Sequence, residues 1–281
     1  MAPHSIPDRV LDCFEHSCLL SLDENLTIND FAEEEYEETT ESLEHRILQG
    51  IKKRINSIDH YPFRLRSKLL EFNPDLPDEG KYAYLFLLAC SPNSILKNEN
   101  NKKDLENQFE DLSSKCLEII AKKESKSFYK VGTIGSTGKN LASVILLLSV
   151  KLGIGKGVKD PAPSDKDCGV DCLIYCETGK RVELWQSTVQ SNYKQKLLLV
   201  DIDRWTQFLE AGLTYTRNIA VPYLIAKKSS EYDGSKVLDR QDLTCLLTKI
   251  FKVDSPVFME IKNLINDIKK RIVETTKDSA H

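Results

Sequence analysis

Between Glu41 and Ser57 the apolar residues Leu43, Ile47, Ile51 and Ile55 return at the spacing of one helical face. That pattern predicts an amphipathic helix leading into a turn at Tyr61-Pro62. After the proline-rich turn FNPDLPDEG, the run KYAYLFLLAC is apolar nearly all round and predicts a core helix. The polar stretch SPNSILKNENNKKD is a break, and LENQFEDLSSKCLEIIAKK then places Leu105, Phe109, Leu112, Cys116, Ile119 and Ile120 at helical spacing. Residues 139–153 read as an apolar helix ending at the glycines of GIGKG. Beyond the polar loop DPAPSDKD, two strand-like runs, GVDCLIYC and VELWQSTV, flank ETGKR, whose glycine suits a hairpin turn. Residues 193–212 read as one helix, and TRNIAVPYLIA as a buried strand in which Pro222 points to an edge or a bulge. Two helices follow, over 242–251 and 256–275, the second with Ser255 at its N-cap and proline in its first turn. The order α, short β, β-hairpin, α, β describes an α/β (α+β) fold, a small mixed sheet flanked by helices, behind a helical N-terminal region.

Composition narrows the class. At 281 residues, 41 % hydrophobic, the chain can bury a core and form one large or two small domains. The longest apolar run, residues 141–150, falls short of the ~18 needed to cross a bilayer, so no membrane association is expected. MAPHSIPDRV has neither the basic nor the long apolar region of a secretory signal, which predicts a cytoplasmic protein. The eight cysteines sit mostly in apolar stretches, as reduced thiols do. Cys172 and Cys176 share a strand face as small hydrophobes, and with no paired C-x-x-C or nearby His they do not make a zinc site with Cys168.

The net charge of −4 hides an asymmetry: residues 1–44 hold thirteen acids against the single base Arg9, leaving 38 basic and 30 acidic residues elsewhere. The run EEEYEETTESLE is either a solvated face or a segment that competes with DNA phosphates or docks on a basic partner.

Two segments carry candidate chemistry. GTIGSTGKN, residues 132–140, resembles the end of a phosphate-binding loop but has Thr133 and Asn140 where that loop needs Gly and Ser or Thr, so it reads as a turn that starts a helix. The D-x-G-V-D run from Asp167 to Asp171 is more informative, because Asp171 sits amid apolar residues without a local partner. Alternation puts Leu184, Gln186 and Thr188 on one face of the returning strand and Glu183 and Trp185 on the other, so Gln186 can stand opposite Asp171 whereas Glu183 would need a bulge. Other readings of the same residues are an Asp171 pair with Lys180 or Arg181 across the hairpin, a satisfied core amide at Gln186, and a solvated helix face at Lys194 and Lys196. Trp185 and Trp205 read as core. The histidines His4, His16, His45 and His60 lie N-terminally, and no Ser/His/Asp or Cys/His set suggests itself.

D-x-G-V-D followed by Gln186 resembles the PD-(D/E)XK nuclease superfamily, particularly Mrr-like restriction endonucleases with a D-x-G-[IV]-D…Q-x-K pattern. The resemblance covers residues 105–226. It implies a restriction-endonuclease-like core over 103–228, between an acidic segment 1–44 with a helical region 45–102 and C-terminal helices 229–281. Asp171 matches the metal-binding Asp and Gln186 the Gln of Q-x-K, while Thr188 stands where the lysine belongs. The run WQSTVQSNYKQKL is similar to the Q…[WY]-x-x-K arrangement of some bacterial defence-associated nucleases, in which Tyr193 and Lys196 correspond. YPF at 61–63, YLFLL at 84–88 and Phe109-Glu110 look like that group's helical preface, making Glu110 the helix acid. The helix over 139–153 carries no acid, so in the place of the first core helix it would leave the metal one ligand short.

The resemblance implies an Mg²⁺- or Mn²⁺-dependent DNA endonuclease subunit of a bacterial anti-phage defence complex. Asp171, Glu110 and Gln186 would hold the metal and Lys196 supply the cation, while a partner protein supplies recognition or ATP-driven motion. The alternative is a catalytically inactive nuclease-fold adaptor or scaffold in a larger defence or DNA-processing complex. DNA phosphates would meet Lys194, Arg204 and Arg217, with Lys196, Lys227, Lys228, Lys130 and Lys139 as further basic positions. The C-terminal helix, with Phe258, Ile261, Leu264, Ile265, Ile268 and Ile272 along one side, either covers the sheet or presents a partner groove.

Overall fold

The apolar periodicities resolve, in a computed structural model, into α1 (Asp8–Leu20), α2 (Glu41–Ser57), β1 (Phe63–Arg66), β2 (Leu69–Phe72), α3 (Asp78–Cys90), α4 (Lys102–Lys123), β3 (Ser127–Lys130) and α5 (Leu141–Leu152). These are followed by β4 (Cys172–Cys176), β5 (Arg181–Ser187), α6 (Tyr193–Leu198), α7 (Ile202–Phe208), β6 (Thr214–Ala220), β7 (Val237–Leu238), α8 (Arg240–Ile250) and α9 (Pro256–Asp278). The structure describes residues 8–20, 27, 28, 31, 41–92, 94, 97, 100–131, 141–153, 155–162, 167–225, 234–252 and 255–278. GTIGSTGKN, Lys227 and Lys228 lie outside the described residues. Two units divide the chain: Met1–Leu105 with Pro222–Leu224 and Arg240–His281, and Glu106–Val221 with Ile225–Asp239. Among the described residues no helix is long and apolar enough to cross a membrane.

In the first unit α3 is buried from Tyr82 to Cys90, as an all-round apolar helix must be. The amphipathic α9 lies on it: the Phe258 and Tyr82 rings meet edge to face at 5.9 Å, and Lys262 Nζ donates to Asp78 Oδ2 at 2.8 Å. Ser255 Oγ accepts from Phe258 N at 3.3 Å and so caps α9. The YPF segment, expected in a helical preface, instead enters the β1–β2 hairpin, which turns at Ser67 with φ +58°. Its period-two alternation, FRLR and LLEF, is short and lies between stronger helical signals.

Of the acid-rich N-terminal stretch, EEEYEETT lies outside the described residues, and the acids of α1 are in part internal. Arg240 is completely buried; its Nη1 and Nη2 donate to Asp12 Oδ1 and Oδ2 at 2.9 and 2.8 Å, and its Nε donates to Pro222 O at 2.9 Å. Arg54 Nη1 donates to Glu15 Oε1 at 2.6 Å, and Tyr61 and Tyr84 donate to the two oxygens of Glu15 at 2.7 and 2.8 Å. Asp8, Asp12 and Glu15 are spaced to share one face of α1, and all three meet Arg54. Burial would raise the Asp12 carboxyl, but Arg240 and Arg54 outweigh it and hold it well below the usual carboxylate range.

The second unit is built on a mixed five-stranded sheet in the order β3-β4-β5-β6-β7. The pairs β3–β4 and β4–β5 are antiparallel, and β5–β6 and β6–β7 are parallel. Helix α4 covers one face through Leu117 and Ala121, against Cys172, Ile174 and Trp185. On the other face, Val144, Ile145 and Leu148 of α5 and Trp205 and Phe208 of α7 pack on Leu173, Val182 and Leu184. Covered on both faces, β4 and β5 read as nearly continuous apolar runs. Both tryptophans are core, as expected.

Two local expectations are corrected, and the hairpin expected at ETGKR is present. The helix expected over 193–212 is two short helices, because Asp201 accepts from Arg204 N at 3.0 Å and starts α7 afresh. Pro222 marks neither an edge nor a bulge: β6 is interior, flanked by β5 and β7, and ends at Ala220. In the hairpin turn the left-handed conformation falls on Lys180, φ +44°, rather than on Gly179.

Candidate active site

The site forms where β4 begins and β5 ends. Asp167 opens the turn that delivers the key residue: its Oδ1 accepts from Gly169 N at 2.9 Å and its carbonyl from Val170 N at 3.1 Å. Gly169 is required twice over, by φ +75° and because a Cβ there would stand 2.7 Å from the carbonyl oxygen of Leu199. Gly169→Ala is therefore expected to destabilise the second unit by about 1–3 kcal/mol, read as a lower thermal midpoint. An unchanged midpoint would show that this turn does not hold the strand.

Asp171 continues the sheet in both directions. Its N–H donates to Trp185 O at 2.9 Å, and its carbonyl accepts from Val131 N at 2.7 Å. With Cys172 paired to Trp185, Asp171 falls opposite Gln186, and its Oδ2 accepts from Ser187 N at 2.6 Å. Gln186 Oε1 and Ser187 Oγ are buried and have no hydrogen-bond partner among the described residues. Glu110 reaches the same end of the sheet because it shares a helical stripe of α4 with Ser114, Leu117 and Ala121. Cys172 Sγ donates to Ser114 Oγ at 3.3 Å, tying that stripe to β4 next to Asp171.

The electrostatics are those of a negative site short of positive charge. Burial pushes the Asp171 carboxyl up to about 7; the Ser187 N–H opposes this, Glu110 and Asp167 add to it, and Lys130 offsets part of it. Glu110 is also raised, first by burial and then by Asp111 and Asp167 against the pull of Lys130. Lys130, the last residue of β3, pairs opposite Cys172 and donates from Nζ to Asp111 Oδ1.

The structure thus brings together Asp171, Gln186 and Glu110. A pair between Asp171 and Lys180 or Arg181 is excluded, since Arg181 faces Cys176 at the opposite end of the hairpin. Glu183 lies in regular register opposite Ile174 without a bulge and accepts from Lys126 and Lys236 at 2.8 and 3.0 Å, so it serves the sheet. Thr188 is buried, with its Oγ1 accepting from Gln190 N at 3.2 Å. Lys196 stands on α6 with Tyr193, and among the described residues its side chain makes no ion pair or hydrogen bond. Of the expected DNA contacts, Lys194 is exposed on α6, Arg204 Nε lies 3.5 Å from Asp201 Oδ2, and Arg217 Nε donates to the neighbouring Val200 O at 2.9 Å. Sequence reasoning missed Ser187 and Asp167 as parts of this constellation, and placed Lys130 only on a general basic surface.

Among the described residues no group of three or more His, Cys, Asp and Glu side chains is arranged to hold a metal ion. The oxygen set here consists of two carboxylates, an amide and a hydroxyl. These are hard donors, and the unpartnered Oε1 of Gln186 beside a half-buried carboxylate fits a hard divalent cation such as Mg²⁺ or Mn²⁺. No protein-family profile, curated protein or solved structure matches the chain.

Proposed function

We propose that the second unit is a restriction-endonuclease-like core that hydrolyses DNA phosphodiester bonds with a divalent cation. The observation that carries this reading is the half-buried Asp171 carboxylate, opposite an unpartnered Gln186 oxygen and within the field of Glu110. Removal of an acid from water without a compensating cation costs stability, and such groups concentrate at functional sites. Asp171, Glu110 and Gln186 would hold Mg²⁺ or Mn²⁺, which supplies charge stabilisation on the phosphate and a more acidic attacking water. The chain's own part is to orient: Ser187 N–H fixes one Asp171 oxygen, the Asp167 turn sets the strand's entry, and α4 delivers Glu110.

The setting proposed from the sequence resemblance is a bacterial defence assembly, in which a partner protein supplies recognition or ATP-driven motion. An inactive nuclease-fold adaptor is the second reading, favoured by the neutral Gln186 in a ligand position and the buried Thr188 where a lysine is expected. Supercoiled plasmid with Mg²⁺ or Mn²⁺ separates the two. Nicking by the wild type, reduced at least about 10³-fold in Asp171→Ala, is the expected result; a wild type that never cuts, with its co-purifying partners present, supports the adaptor.

A further inference from the structure

Resting on the hydrolase reading above, we infer that Lys130 is the catalytic cation of this site and that Asp111 is its positioning residue. Lys130 closes β3 directly beside Asp171, since Val131 N, the next backbone donor, bonds Asp171 O at 2.7 Å. Strand alternation sends its side chain to the face of Phe128 and Cys172, where α4 lies. There its amine is held by Asp111, the residue after Glu110, and its charge acts on both Glu110 and Asp171.

The other two places for a lysine are less suited. Thr188 holds a buried hydroxyl engaged with the backbone, and Lys196 is not among the charges that act most strongly on Asp171. A phosphoryl group under attack gathers negative charge, and an ammonium beside the cation site stabilises that charge only as it develops. Lys130 is 26 % exposed and Asp111 59 %, so their ion pair contributes at most about 1 kcal/mol to folding and both positions tolerate substitution.

The test measures plasmid cleavage at saturating Mn²⁺ together with Mn²⁺ affinity by calorimetry, on the full-length protein. Lys130→Met is expected to lower kcat about 10²–10³-fold, the loss typical of one transition-state donor, while Mn²⁺ binds no more weakly because a like charge has been removed. Lys130→Arg is expected to recover part of the rate. Asp111→Asn is expected to lower kcat about tenfold with KM for DNA unchanged, and the double variant Asp111→Asn/Lys130→Met to be no slower than Lys130→Met alone, because Asp111 acts through the lysine. Cleavage at the wild-type rate by Lys130→Met, with Asp171→Ala inert, overturns this assignment and leaves the hydrolase reading standing. A Lys130→Met loss confined to KM, or a loss of kcat in Lys196→Met that Lys130→Met does not share, also overturns it. A wild type that neither cuts nor binds Mn²⁺ overturns both.

Discussion

Arg240→Ala is expected to destabilise the first unit by about 3–5 kcal/mol, the usual result of removing one member of a buried ion pair. The guanidinium is fully buried, and each of its nitrogens is engaged: Nε with Pro222 O, Nη1 with Asp12 and Tyr84, Nη2 with Asp12 and Ser91. Alanine leaves Asp12 with Arg54 as its remaining guanidinium partner, in a site where burial by itself disfavours the carboxylate. It also removes the donor that joins α8 to α1 across 228 residues of sequence. Because Arg240 and Asp12 share two hydrogen bonds, Arg240→Ala/Asp12→Ala is expected to lose about 1–3 kcal/mol less than the sum of the single variants. Urea unfolding followed by far-ultraviolet circular dichroism gives both values. A loss below about 1 kcal/mol for Arg240→Ala would mean that water reaches this network in solution and that α1 is held by its apolar side alone.

What the sequence revealed and what it hid divide along the range of the interactions. The bounds of α2 and the cap of α9 were legible because each rests on residues a few positions apart: Ile47 and Ile51 on one face, Ser255 three residues from Phe258. The opposition of Asp171 and Gln186 was legible for a related reason, since a hairpin's register can be counted outward from its turn. Lys130 was hidden as a member of the site because β3 pairs with β4 across an intervening helix, a contact no local pattern encodes. The interior place of β6 was hidden because its outer neighbour, β7, is two residues long. The ion pairs of α1 were hidden because the arginines that neutralise Asp12 and Glu15 come from α2 and α8, far along the chain. Glu110 became legible through the resemblance, and its place in the α4 stripe explains how a helix otherwise committed to packing can present a carboxylate at the sheet's edge.

Asp171→Asn is expected to stabilise the second unit at pH 8 while ending cation-dependent cleavage. Asparagine keeps an oxygen for the Ser187 N–H and removes the charge that burial disfavours. The folded-state pKa is raised to about 7, above the unfolded carboxylate value, so the folded chain holds a proton that the unfolded chain has released. The contribution of Asp171 to the stability of the second unit therefore falls as pH rises from about 4 to about 7 and then levels off. Three pH units at about 1.4 kcal/mol each set a ceiling of about 4 kcal/mol on the penalty. Relative to wild type, Asp171→Asn is expected to gain about 1–4 kcal/mol at pH 8 and almost nothing near pH 4. The chain's two tryptophans, Trp185 and Trp205, both lie in the second unit, so their fluorescence follows the relevant transition. Mn²⁺ is expected to raise the wild-type midpoint and leave that of Asp171→Asn nearly unmoved, closing the gap, because a ligand that binds the folded state stabilises only the chain that can hold it. A variant less stable than wild type at pH 8 would show the carboxylate to be a satisfied structural acid, and the hydrolase reading would lose the observation that carries it. A variant more stable yet inactive is what a site built for charge rather than for folding produces.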